Sequence, residues 1–145
     1  MRPASIVLFE RIYLLSIAVA AVGIVLGWNE LIEMAPAEAS AGERQGVMIA
    51  AIAITLLFAL MLLYFIARRA SAAAKWLFVA FNAYGVVSFA MDLGTPGAAT
   101  NIPFVFDGIT LVLTLYCAWL LFKPDAVAWL ESKGANGPGD PSAFD

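Results

Sequence analysis

The sequence predicts an all-α membrane protein, a four-transmembrane-helix bundle with a short cytoplasmic helix after the last span. Three observations predict it. Of the 145 residues, 63% are hydrophobic and only 13% charged, with a mean hydropathy of +0.89. A soluble domain of this size needs more polar surface to cover its core. The apolar residues fall in four runs, 12–28, 46–67, 72–91 and 104–122, each near the roughly 20 residues that cross about 30 Å of hydrocarbon. No run alternates apolar with polar residues as the strands of a membrane β-barrel do. Four spans with short links fill residues 1–133 as one domain. The stretch 134–145, rich in Gly and Pro, reads as a disordered tail.

The first run exceeds an ordinary signal-peptide core, and Glu10 interrupts the basic stretch before it, so an uncleaved first span is expected. Its helix should begin near Ser5, acting as cap just after Pro3. Glu10 and Arg11 then sit in the first turns at headgroup depth, where Arg11 can reach outward. Gly23 and Gly27 make a G-x-x-x-G on this span, which permits close approach of another helix; packing within the bundle is the expected use.

The links separate by charge. Link 29–45 carries Glu30, Glu33, Glu38 and Glu43 against Arg44 alone. Those acids lack a compact ligand spacing and read as a solvated acidic loop, not a metal site. The second link carries Arg68, Arg69 and Lys75 and no acid, while link 92–103, rich in turn formers, has no base. Arg2 and Arg11 precede the first span and Lys123 follows the last. Basic residues mark the cytoplasmic face, so both termini and the second link are expected there. Beyond Lys123, Pro124 suits the first position of a helix and Asp125 its first turn. Gly134 is the expected stop, with Trp129 as an interface anchor.

Several chemistries are excluded by what is missing. There is no His, and Cys117 is the single cysteine. Haem ligation by His pairs, disulfide exchange and Cys/His metal sites are ruled out, and no nucleophile–base pair can be assembled. An enzyme is not expected, nor is a metal or other cofactor.

Two groups of residues remain as candidates. The first is a cytoplasmic rim of Glu10, Arg11, Arg68, Arg69, Lys75, Lys123 and Trp129. Glu10 should pair with Arg68, Arg69, Lys75 or Lys123, because a carboxylate facing acyl chains is costly. The surplus positive charge suits anionic lipid headgroups or a protein partner. The second is an intramembrane polar stripe. Asp107, Thr110, Thr114 and Cys117 are spaced 3, 4 and 3 on the fourth span and share an arc of roughly 80°. Asn82, Gly85 and Asp92 repeat the pattern on the third. One reading is a polar cavity in the outer half with Asp107 as an ion or proton site. The favoured reading is interhelical packing and bonding of hydroxyls to their own backbone, since Asp107 lies only about one turn inside.

Three stretches carry a resemblance: Arg2-Pro3-Ala4-Ser5-Ile6 leading to Phe9-Glu10-Arg11; Ala67-Arg68-Arg69-Ala70-Ser71 leading to Lys75-Trp76; and Phe122-Lys123-Pro124-Asp125-Ala126 leading to Trp129. Together the chain resembles a group of small, uncharacterised four-helix inner-membrane proteins of proteobacteria. The resemblance implies the fold and a bacterial inner-membrane location, and it implies no activity. The expected function is that of an accessory or interaction protein, with a small oligomeric transporter or channel as the alternative. Expected partners are membrane lipids, with a protein partner or a homo-oligomer as further candidates; no nucleic acid is expected.

Overall fold

A computed structural model describes residues 2–33, 40–94 and 100–132. The described residues form six α-helices: α1 (Ala4–Leu26), α2 (Trp28–Glu33), α3 (Ala41–Ala67), α4 (Ala72–Leu93), α5 (Ile102–Leu120) and α6 (Pro124–Glu131). The helices α1, α3, α4 and α5 are long and apolar enough to cross a membrane. Large apolar side chains cover their outward faces all round, a surface that suits lipid and not water. The predicted bundle with its short C-terminal helix is therefore the fold of this chain. The expected stop at Gly134, the tail 134–145 and the turn formers 95–99 lie outside the described residues.

Helix boundaries differ from expectation for identifiable reasons. The N-cap of α1 is Pro3, in extended backbone, and Ser5 lies inside the first turn. The first amides of a helix lack intrahelical acceptors, and here a distant carboxylate supplies one. Asp125 of α6 accepts from the Ser5 amide at 3.2 Å and from its hydroxyl at 2.8 Å. The described residues of link 29–45 are largely helical. The link holds α2, and Ser40 with Glu43 forms a capping box that starts α3 at Ala41. At the other boundary α5 stops at Leu120, because Pro124 holds Lys123 in extended backbone. Between α3 and α4, Ala70 takes a left-handed φ of 47° and the Ser71 amide donates back to the Phe65 carbonyl. That tight reversal leaves Arg68 and Arg69 beside the start of α4.

The core occupies one end of the bundle. Ile6, Phe9 and Tyr13 begin α1; Leu62, Leu63 and Ile66 end α3; Phe78 lies early in α4; Cys117 and Leu120 end α5. Their meeting requires the four long helices to run alternately up and down. The rings of Phe9, Tyr13 and Phe78 form a closed triad with centroids 5.2–5.6 Å apart. Ala126, Trp129 and Leu130 join this core from α6. Trp129 is only 5% exposed, so it is not an interface anchor. Its spacing with Ala126 and Leu130 makes one apolar face, and the Ser5–Asp125 link turns that face inward.

Away from this core, α1 is held mainly by α5, its most extensive neighbour. Lipid tails are as apolar as leucine, so close packing has to supply the attraction between spans. At Gly23 an added Cβ would lie 2.5 Å from the Cβ of Phe106, and at Gly27 it would lie 2.6 Å from the ring of Pro103. The G-x-x-x-G therefore serves packing inside the bundle. Gly46 of α3 has open space around it. Gly23→Ala should destabilise the bundle by about 1–3 kcal/mol, the usual range for overpacking. Gly46→Ala should be neutral or stabilise by up to about 1 kcal/mol. Reversible unfolding in mixed micelles reads both, and equal losses would contradict the assigned seam.

Candidate functional site

The basic end brings most of the rim residues together. Glu10, half-buried one turn above the core residue Ile6, is bridged by Arg2 and by Arg68, the latter at 3.4 Å. Arg68 was among the partners expected from sequence; Arg2 was not. Eight residues separate Arg2 from Glu10, which is no helical neighbour spacing. Arg2 reaches Glu10 because it precedes the helix, on the extended side of Pro3. Arg11 and Arg69 are exposed.

Lys75 and Lys123 make a different contact from the ion pair expected. The Lys75 ammonium rests 4.1 Å from the Phe122 ring centre and 5.8 Å from that of Trp76. Lys123 lies 4.5 Å over Trp119. Such contacts are worth about 0.5–1 kcal/mol where exposed. Trp76 and Trp119 are 61% and 55% exposed, and these two indoles take the interface position that Trp129 does not. Sequence reading missed Trp119, although its place four residues before Lys123 was a usable signal, the chain turning back over that ring.

The polar stripe occupies the opposite end. Between α3, α4 and α5 lies a cavity of about 380 Å³. Its floor is Tyr13, Leu62 and Phe78, the outer edge of the core. Asn82, Asp107, Thr110 and Thr114 all line it, joined by Thr55, Ser88 and Asp92. Cys117, the fourth member of the stripe by spacing, is instead fully buried in the core. Gly85 faces Leu111, and Gly108 faces Phe89. Continuing that antiparallel register puts Asn82 near the level of Thr114.

The hydrogen bonds of the stripe stay within their own helices, as the favoured reading expected of its hydroxyls. Thr114 donates to the Leu111 carbonyl of its own helix, and the Asn82 amide nitrogen donates to the Phe78 carbonyl at 2.9 Å. That second bond fixes the orientation of the amide, and its oxygen is left buried without a partner, as is the Thr110 hydroxyl. Among the described residues, both ion pairs involve Glu10; neither Asp92 nor Asp107 has one. α3 and α5 share no seam comparable to α1 with α5. The hydroxyls on either side face a gap.

The acidic loop also contributes structure. Glu30 accepts from the Ile102 amide at 3.1 Å, closing the start of α5. Asn101, the N-cap residue there, makes no side-chain cap bond.

No protein-family model matches the chain, and neither the curated proteins nor the solved structures include one that matches it.

The Ser5–Asp125 link gives a pH dependence. Burial pushes the Asp125 carboxyl upward, but the two Ser5 hydrogen bonds and the amides of Ala126 and Asp125 outweigh it and hold the group below its ordinary value. A group lowered on folding stabilises fully above its unfolded pKa of about 4 and loses that contribution as pH falls through the folded value. Stability should therefore drop below about pH 4, and Asp125→Asn should flatten that part of the curve. Thermal midpoints between pH 6 and pH 2.5 measure it; parallel curves for the two proteins would refute the link.

Proposed function

We propose that this is an accessory or interaction protein that works by binding within the membrane, without catalysis or continuous conduction. One observation carries the reading: the basic end is closed by packed side chains across all four spans, while the cavity stops at Tyr13, Leu62 and Phe78. A pore along the bundle axis would have to unpack the ring triad. The second reading, a small oligomeric transporter or channel, is favoured by the polar cavity itself.

The charge pattern supports an orientation. We place both termini and the turn at Arg68–Lys75 in the cytoplasm, with the chain in the bacterial inner membrane as its resemblance to the proteobacterial group implies. The exposed indoles of Trp76 and Trp119, each beside a lysine, suit the headgroup layer, where aromatic rings and cations face anionic lipid. Reporter fusions after Ser71 and Ala135 should read cytoplasmic, and a fusion after Glu38 periplasmic; a periplasmic Ala135 would overturn the orientation.

Proteoliposomes holding the purified chain should show no proton or potassium conductance above empty vesicles. Sustained conductance from folded protein would displace the binding reading in favour of the channel.

A further inference from the structure

We propose that the cavity between α3, α4 and α5 is a binding site for a lipophilic ammonium ion, a primary amine on an apolar body. This goes beyond the accessory reading and holds whether or not the ligand is moved across the membrane.

The inference starts from unmet hydrogen bonding. Asn82 is 8% exposed, and its amide nitrogen is committed to Phe78. The remaining oxygen lines the cavity as a buried acceptor without a donor. A buried amide oxygen left unpaired costs free energy, so a donor arriving there is stabilised by what the fold leaves unpaired. The Thr110 hydroxyl is the second buried polar atom of the cavity without a partner.

Charge then selects the donor. Asp92 and Asp107 line the outer part of the same cavity, and among the described residues no Lys or Arg lines it. Asp107 stands one turn from Thr110, about 4.5 Å along the helix axis. Two carboxylates repel an anion and favour a cation, and they act more strongly at a membrane boundary than in bulk water. A neutral alcohol would satisfy Asn82 but gain nothing from the acids. A metal ion is a poor fit, because the deep oxygen and the two acids are spread over several turns and the walls between them are aromatic.

The walls define the rest of the ligand. Phe89 and Phe104 are stacked at 4.5 Å and Phe58 and Phe81 meet at 4.8 Å, all four lining the cavity. Ring faces attract an ammonium passing over them and pack against an apolar body. A volume of about 380 Å³ falls within the range of small-molecule sites. The ammonium would donate to the Asn82 oxygen, with its apolar body between the rings and the two acids favouring the cation through their field.

The test uses four probes sharing one body: 4-phenylbutylammonium, its trimethylammonium analogue, 4-phenylbutanol and 4-phenylbutyrate. Binding is measured by equilibrium dialysis to the full chain in phosphatidylcholine nanodiscs, against empty nanodiscs. The primary ammonium should bind saturably, one per chain, at least tenfold more tightly than the alcohol or the carboxylate. The trimethylammonium keeps the charge and loses the donors, so it should bind several-fold more weakly; this comparison probes the Asn82 oxygen without a substitution. Asp107→Asn, at an exposed position that leaves the core untouched, should weaken ammonium binding at least fivefold with the thermal midpoint unchanged. Asn82→Leu should bring the ammonium down to the trimethylammonium level. The proposal is overturned by any of four results: no saturable binding, a carboxylate bound as tightly as the ammonium, no preference for the primary amine, or an affinity indifferent to Asp107→Asn.

Discussion

The close seam between α1 and α5 governs how the other helices can sit. Two glycines on α1 bring its backbone against Phe106 and Pro103, and a side chain at either would force the helices apart. With α1 committed to α5 along its length, α3 and α4 complete the bundle from the far side. α3 meets α1 and α4, and α4 meets α5. The four neighbour pairs close in a ring, α3 and α5 stand diagonally across it, and the cavity lies between those two beside α4. In water such a gap would collapse under the cost of exposed apolar surface. In lipid that drive is absent, and only close packing or hydrogen bonding would close it.

The two ends of the molecule answer different constraints. The basic end is sealed by rings, aliphatic chains and a folded-back helix, so Glu10 is confined to a boundary where Arg2 and Arg68 can neutralise it. Exposed pairs of this type contribute roughly 0–1 kcal/mol, so the pairing fixes position more than it adds stability. At the opposite end the cavity is lined by Asp92 and Asp107 and, among the described residues, by no cation. Its hydroxyls turn to their own helices or into the gap, which preserves a polar lining where lipid alone would favour apolar side chains.

Much of this was legible in the sequence. Length, hydropathy and the absence of alternation pointed to the fold class and the number of spans. The spacing of Asp107, Thr110 and Thr114 on α5 marked the cavity face, while Cys117, next in the same spacing, belongs to the core. Three things were not legible, each because a distant contact replaced a local one. Ser5 looks like a cap, but its partner is 120 residues away. The start of α5 falls in a stretch read only as turn formers, and its first amide is met by Glu30 across 72 residues. Trp129 looks like an interfacial anchor, and only the docking of α6 shows that it belongs to the core. The polar face presented a different difficulty. Helical spacing tells which residues share a face and not whether that face meets a helix or a void. That depended on α3 and α5 standing apart, which no single-helix pattern encodes.

The two long-range caps share one design. In each, a carboxylate reaches from a short helix to an amide at the start of a long span: Asp125 of α6 to α1, and Glu30 of α2 to α5. A helix start carries unpaired amides and a partial positive charge, so a carboxylate there both accepts and compensates. The helices served are the pair whose seam organises the bundle, one fastened at the basic end and the other at the opposite end. Sliding α1 along α5 would pull against both fastenings as well as against the glycine contacts. The seam is thus fixed in register at its two ends and in distance along its length. With α1 and α5 fixed, changes in the cavity fall to α3 and α4, and of these α3 alone lacks a direct seam with α5. A ligand entering the gap would be accommodated by these two walls, neither of which supplies a residue to either cap.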